Sequence, residues 1–518
     1  MTSFVLLSWP AIILVLINQM TWPRAVAVSI VAAYLILPTQ IEFDFPLLPS
    51  LNKHTIPVIA LMLLALVMRP DKSRGILPAK QDPETVRPGW IPRSPLILLC
   101  FFLMVSGNAM TALTNGDRQT FGPTSLPGLR PFDAFAMTLT ALTLLLPFFL
   151  GRKFFGHPDT HKTLLKVLVV AGLVYTLPAL FEIRMSPQLN VKIYGFFPHN
   201  WQQHIRAGGF RPIVFLEHGL LLALFFSLSV LSAFGLSRVE DKKHRSLYLM
   251  MGAWILLTLA LSNSFGGLVT ALLFMPIVLI LHVRGQMIFV AVIAVITLTY
   301  PVLRSADIVP TERLVQWAEV ISDDRARSLN FRFENEDRLL TRAQERPFFG
   351  WGGFGRHNVF DERGRDITVA EGAWIIAISG GGWFQYIADF GVLTIPMLLL
   401  AWRRRSYNVT LVTSILCVVL AANLMDLLPN AGRTPITMLI AGAIAGRLEF
   451  GRLGEKVREE GDVMAPQFRG AAPSAQTSGT NIHPDSEEAQ ISIYTRQTKL
   501  YKREKTPGKR RDLKNRSV

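Results

Sequence analysis

Arginine is the residue that marks this sequence chemically. Between positions 303 and 372 it occurs eleven times, with no lysine, against thirteen Asp and Glu. Guanidinium is a planar, permanently charged fork matched to phosphate and carboxylate oxygens, whereas ammonium acts as a mobile point charge. A stretch that uses Arg alone suits a phosphate or diphosphate ligand. The plainer alternative, and the commoner one for any single Arg, is pairing with a nearby carboxylate. Arg338, Arg342 and Arg346 recur every four residues, which predicts a helix over 335–346 with all three on one face. Asn335 is expected to cap that helix and Pro347 to end it.

Gly350-Trp351-Gly352-Gly353-Phe354-Gly355 comes next, a literal G-x-G-x-x-G. A dinucleotide site needs a strand before that motif and a helix after it. An Arg-rich helix is expected before it here, so that reading is excluded. Gly352 and Gly355 suit a tight turn offering backbone N–H groups to an anion, or one that simply returns the chain. Candidate bases are Glu371, His357 beside Asn358, and Glu217 with His218. Each has a plain alternative: a helix cap, a surface histidine, an ion pair of Glu217 with Arg211. Glu217 and His218 fall inside an expected apolar segment, where an ionisable side chain is a functional candidate by default.

These residues need a scaffold, and the composition says which. Half of the 518 residues are hydrophobic and 17% are charged, against about 25% in soluble chains. Apolar runs at 3–20, 22–38, 55–69, 94–114, 131–150, 162–183, 212–234, 247–261, 265–281, 286–302, 373–401, 408–428 and 434–450 reach or approach the length of a span. Lipid cannot satisfy backbone polar groups, so each is expected to be a helix. The expectation is an all-α polytopic membrane protein with 12–13 transmembrane helices; the first two runs can also form one re-entrant hairpin. Residues 3–20 lack a basic lead and a small-residue cleavage site, and are expected to be a span.

Charge asymmetry orients the bundle. Arg24, the 71–93 stretch, Arg152, Lys153, Lys162, Arg238 to Arg245, Arg284, Arg403 to Arg405 and the C-terminal tail alternate with short loops poor in Lys and Arg. The positive-inside rule sends the first set to the cytoplasm, the N-terminus and the 303–372 loop outside, and the C-terminus inside. Residues 1–450 are thus expected to form the membrane domain. Residues 451–518 form a disordered basic cytoplasmic tail, with ten Lys and Arg against two acids from 496 to 518. The net charge of +16 follows topology, and no nucleic-acid partner is expected. Cys100 and Cys417 lie in apolar runs and are expected to pack, with no disulfide and no metal site.

Over roughly 200–400 the chain resembles the O-antigen ligase and O-antigen polymerase superfamily of bacterial envelope glycan assembly. The resemblance lies in Gly209-Phe210-Arg211-Pro212, Glu217-His218-Gly219, the turn Leu261-Ser262-Asn263-Ser264-Phe265-Gly266-Gly267, Arg332, the run Glu345-Arg346-Pro347-Phe348-Phe349-Gly350-Trp351-Gly352, and Ala388-Asp389-Phe390-Gly391. It implies a C-type glycosyltransferase-like fold with one large periplasmic loop, in the bacterial inner membrane. It also implies metal-independent, cofactor-free transfer of a polyprenyl-diphosphate-linked oligosaccharide to an acceptor glycan or to lipid A core, with a chain-length regulator as an expected partner. By position Arg211 and Arg332 match the family's functional arginines, with Arg206 and Arg338 as further diphosphate ligands. The chain departs from the pattern at Gly380-Gly381, where ligases carry a His-Asn pair, and at Phe265, where the turn carries an Arg. The first departure favours a polymerase over a ligase. A transporter is the expectation of another class, weakened by the lack of repeated halves or matched broken spans.

Overall fold

A computed structural model describes residues 2–45, 48–68, 89–206 and 209–464, with Arg206 and 450–464 described by backbone alone. The expected cytoplasmic stretch 71–93, apart from 89–93, and the tail beyond Met464 lie outside the described residues.

The chain is mostly helical. In order come α1 (Thr2–Leu7), α2 (Trp9–Gln19), α3 (Trp22–Ile36), α4 (Thr55–Met68), α5 (Pro95–Thr114), α6 (Pro131–Leu144), α7 (Leu146–Phe154), α8 (Pro158–Met185) and α9 (Leu189–Tyr194). They are followed by α10 (Gly219–Val239), α11 (Lys242–Leu261), α12 (Phe265–Ile280), α13 (Val283–Ser305), α14 (Thr311–Ile321), α15 (Asp323–Gln344), α16 (Ala373–Trp402), α17 (Leu411–Asp426) and α18 (Pro435–Met464). Two small antiparallel hairpins complete the structure, β1 (Gln119–Phe121) with β2 (Thr124–Leu126) and β3 (Ile205–Arg206) with β4 (Gly209–Phe210). Pro sits in the first turn of α2, α3, α5, α6, α7 and α8, where its missing N–H costs nothing.

Eight helical stretches among the described residues are long and apolar enough to cross a membrane: 2–19, 95–114, 131–154, 158–185, 219–239, 242–261, 283–305 and 373–402. Helices α3, α4, α12 and α17 are apolar but shorter. With α18, these account for all thirteen expected apolar segments. Large apolar side chains such as Phe102, Leu177 and Leu273 are exposed on the outside of the bundle, as lipid-facing positions are. The protein is a multi-pass membrane protein by helix length and composition.

Helix α10 is the hub, packed on by α8, α11, α12 and α17, while α5, α13 and α15 pack on α16. Small residues allow the close approach: Gly235 sits against Ile415, Gly267 against the Ala223 backbone, and Gly172 against Ser229. The Ser227 hydroxyl donates to the Gly267 carbonyl at 2.7 Å, and Ser229 to that of Leu168 at 3.1 Å. In an apolar solvent such contacts replace hydrophobic burial as the source of helix association.

The connecting segments gather at two ends. At one end, Lys53 bonds the Phe215 carbonyl, Gln40 that of Pro198, Tyr194 that of Ile36, and Ala373 N–H those of Leu427 and Asn430. At the other, Arg152 is fully buried and forks onto Glu449 at 3.1 and 2.6 Å, while its remaining N–H groups reach the carbonyls of Gly89, Trp90 and Ile91. That clamp joins α7, α18 and the segment leading into α5.

Several expectations are corrected. The span expected from 212 begins at Gly219, because His218 caps it; Glu217 and His218 therefore lie at its mouth, outside the helix. The helix expected over 335–346 begins twelve residues earlier, at Asp323. Its start is set by Ser322 and the acidic first turn of Asp323 and Asp324. Asn335 is thus mid-helix; its amide bonds the Phe331 carbonyl and accepts from Val369 N–H. Helix α18 runs to Met464, past the expected domain limit at 450.

Removing one partner of a buried ion pair leaves the other charge stranded. Arg152→Ala is expected to destabilise the protein by about 3–5 kcal/mol. A lowered unfolding temperature in detergent, without a comparable loss for exposed Arg327→Ala, is the outcome to look for.

Candidate functional site

A buried carboxylate organises the first half of the site. Glu182, in the last turn of α8, accepts the backbone N–H groups of Ile213 at 2.9 Å, Val214 at 2.7 Å and Leu189 at 2.9 Å. Tyr175 adds a fourth tie, accepting from Phe215 N–H at 3.2 Å while donating to the Leu35 carbonyl. Val214 is bent into the left-handed region, with φ 55°. A charged acceptor makes these stronger than ordinary backbone bonds, and they fix the path from Arg211 to His218.

Along that path Arg211 is buried, its Nη2 donating to the Asn263 carbonyl at 3.3 Å and its backbone N–H to the His204 carbonyl. Its methylenes lie against Gly219, where a Cβ would come within 2.4 Å of Cδ. His218 caps α10, its Nδ1 accepting from Leu220 N–H at 3.0 Å. The rings of His199 and His204 stand 4.7 and 5.3 Å from that of His218. Burial, then the charges of Arg211, His199, His204 and Arg332, lower the His218 pKa to about 3. At neutral pH this imidazole is uncharged.

The second half of the site comes from α15 and the segment before α16. Arg332 Nε and Glu371 Oε2 are 2.6 Å apart, both partly exposed. Arg332 also acts electrostatically on His218 and on the buried Asp426 at the end of α17. Glu217, half exposed, bonds His54 Nε2 at 2.8 Å instead of Arg211. Burial pushes its carboxyl up, but the His54 hydrogen bond and the His54 and Lys53 charges outweigh that and lower its pKa. Arg211, Glu217, His218, Arg332 and Glu371 therefore converge at one end of the bundle.

Helix α16 breaks behind this group. Gly382 takes φ 64° and ψ −162°, freeing carbonyls on one side and N–H groups on the other. Residues 347–352 fill the gap. Trp351 and Gly352 N–H donate to Ser379 and Gly380 at 2.9 and 2.7 Å, and Trp383 and Phe384 N–H donate to Pro347 and Phe348 at 2.8 and 3.2 Å. The glycine motif is thus a splint for a broken helix. The Gly352 N–H expected to face an anion is already engaged by Gly380, and Gly355 shapes a further turn at φ 73°.

Other expected ligands are structural. Arg342 stacks on Trp351 at 3.4 Å and bonds Glu345 and Gln119; Arg346 covers Trp351 at 4.2 Å and bonds Asn115. Arg338 reaches the Ile367 carbonyl at 3.2 Å. His357 interacts with the Gly352 backbone and the Asp366 charge, and burial lowers its pKa. Arg206 lies at the end of β3, and its side chain is outside the described residues.

The sequence reading missed Lys53, His54, His199, His204, Glu336 and Asp426, which arrive from four separate segments. No local spacing links them, yet His54, His199, His204 and His218 are four of the ten histidines in the chain. The nitrogens of His199, His204 and His218 lie within 4.8 Å of one another, a donor set found on transition metals. Two features oppose a cation there: His218 Nδ1 is engaged as a cap, and Arg211 and Arg332 add positive charge beside it. The same positive charge favours an anion with several oxygens.

Glu336 lies one turn beyond Arg332 on α15, accepting from Trp374 Nε1 at 3.2 Å. Burial raises its pKa to about 7, against opposition from that bond and from Arg304. The folded state therefore holds this proton more tightly than the unfolded state, so its contribution to stability is greatest in acid and is lost as pH rises through about 7. Glu336→Gln is expected to gain up to about 3 kcal/mol over wild type at pH 8 and little at pH 4.5, measured by thermal unfolding in detergent. Set beside known proteins, the chain matches no family model and no curated protein.

Proposed function

We propose that the protein is a membrane glycosyltransferase acting on a polyprenyl-diphosphate-linked glycan at the periplasmic face of the bacterial inner membrane, joining repeat units of a surface or secreted polysaccharide. One observation carries this reading: Arg211 and Arg332, from segments 121 residues apart, both bear on His218 at the mouth of α10. The positive-inside pattern puts that mouth outside the cell, where a finished lipid-linked glycan is met.

In the proposed reaction a hydroxyl of the acceptor attacks the anomeric carbon of the donor glycan. The bond from that carbon to the diphosphate oxygen breaks, and the electron pair leaves with the lipid diphosphate. Arg211 and Arg332 hold the growing negative charge. The hydroxyl proton passes to Glu217, the half-exposed carboxylate whose partner is a histidine. Glu371 is less suited to that role because Arg332 already holds it at 2.6 Å. Its part is to aim Arg332.

A ligase passing glycan to lipid A core is the nearest alternative. Support for polymerisation comes from Gly380-Gly381, where the ligase pattern has His-Asn. An added Cβ at Gly381 would lie 2.5 Å from Gln385 Cβ, whereas one at Gly380 would meet nothing nearer than 4.0 Å, so only the second of the two positions is closed to a side chain.

Arg211→Ala and Arg332→Ala are each expected to lower transfer about 10²–10³-fold, and Glu217→Gln to lower it with substrate binding retained. The check is envelope glycan resolved on a gel, in cells whose own copy is deleted. Single repeat units on the core in the deletion support polymerisation, and long chains held on the carrier lipid support a ligase. Full glycan output from stably expressed Arg variants would end the transferase reading in favour of transport or scaffolding.

A further inference from the structure

His218 has so far been one of several candidate bases. Its geometry argues for a different part. An imidazole is neutral with one N–H and one lone pair. Here Nδ1 accepts the Leu220 N–H at 3.0 Å as the cap of α10, so the lone pair is at Nδ1 and the proton sits on Nε2. That nitrogen has no lone pair left to take a proton from an acceptor hydroxyl. Among the described residues no protein atom accepts from it, and the ring is partly exposed.

The surroundings say what it should meet. Arg211 and Arg332 bear on this ring, and their permanent charge draws an anion towards it. Holding the imidazole neutral has a further effect, since it removes the proton exchange that would let Nε2 switch between donor and acceptor. We infer that His218 is a fixed, neutral hydrogen-bond donor to a diphosphate oxygen, acting beside Arg211 and Arg332 as an anion-binding residue and not as the general base. This rests on the transferase reading above. It deepens that reading by giving the site a third donor, one whose direction is set by a helix cap.

Two substitutions separate the two nitrogens. His218→Asn keeps an oxygen where Nδ1 accepts the cap bond and removes the donor. His218→Gln extends an amide N–H towards the Nε2 position and gives up the cap. The full-length protein, purified in detergent, is titrated with inorganic pyrophosphate and with farnesyl diphosphate by calorimetry, with thermal unfolding as the check on folding. Wild type is expected to bind both. His218→Asn is expected to bind tenfold or more weakly with near-normal unfolding, and His218→Gln within about threefold of wild type.

Wild-type affinity in His218→Asn would overturn the inference, and equal weakening in both variants would reduce His218 to a structural cap. Binding abolished by a chelator and restored by zinc would make the three histidines metal ligands instead, which also overturns it. Failure of the wild type to bind either diphosphate would strike the transferase reading itself, and this inference with it.

Discussion

A backbone N–H buried away from water must find an acceptor, and where the solvent is lipid the protein has to supply it. That constraint governs the site. Loop 186–218 passes close to the bundle core, and Glu182 answers three of its N–H groups at once. Without that carboxylate, the path carrying Arg211 and His218 would have no fixed course. Helix α16 meets the same constraint in the opposite sense: a helix interrupted within an apolar span is restored by a second stretch of chain laid into the gap.

The arginines sort themselves by what they touch. Arg304, Arg327, Arg342, Arg356 and Arg365 each lie against a carboxylate of their own end of the bundle. Arg342 and Arg346 enclose Trp351 between flat cationic faces, a contact of about 1–2 kcal/mol each when desolvated. Most of the charge that made the 303–372 stretch conspicuous therefore holds that stretch together. Arg332 differs in reach: its carboxylate partner Glu371 lies just before α16, and its charge bears on His218 and Asp426 as well. Charge count draws attention to the 303–372 stretch, and reach beyond it singles out Arg332.

How much was legible in the sequence follows from the range of the forces involved. Thirteen apolar segments were readable because hydrophobicity and length act locally, and their helices fall within a few residues of the expected limits apart from α10 and α18. The start of α10 was misjudged by seven residues, since Ile213 to Leu216 are apolar in composition yet are held as a loop by Glu182. The start of α15 was missed because Asn335 is a good cap in isolation, whereas the helix begins at Asp323 with two aspartates in its first turn. Arg211 and Arg332 were found through motif resemblance. His54, His199 and His204 were not, because nothing in local spacing says that a residue before α4 will meet one before α10.

The splint across α16 has a consequence for anyone recombining this protein. Gly350, Gly352 and Gly382 each occupy positive φ with another backbone or side chain pressed against the missing Cβ, so the 347–352 segment and α16 are cut to each other's shape. Neither is a module. Chimeras that exchange the 303–372 segment between related chains have to carry residues 347–384 as one block, and a junction placed inside that block would leave the transplanted half without its template.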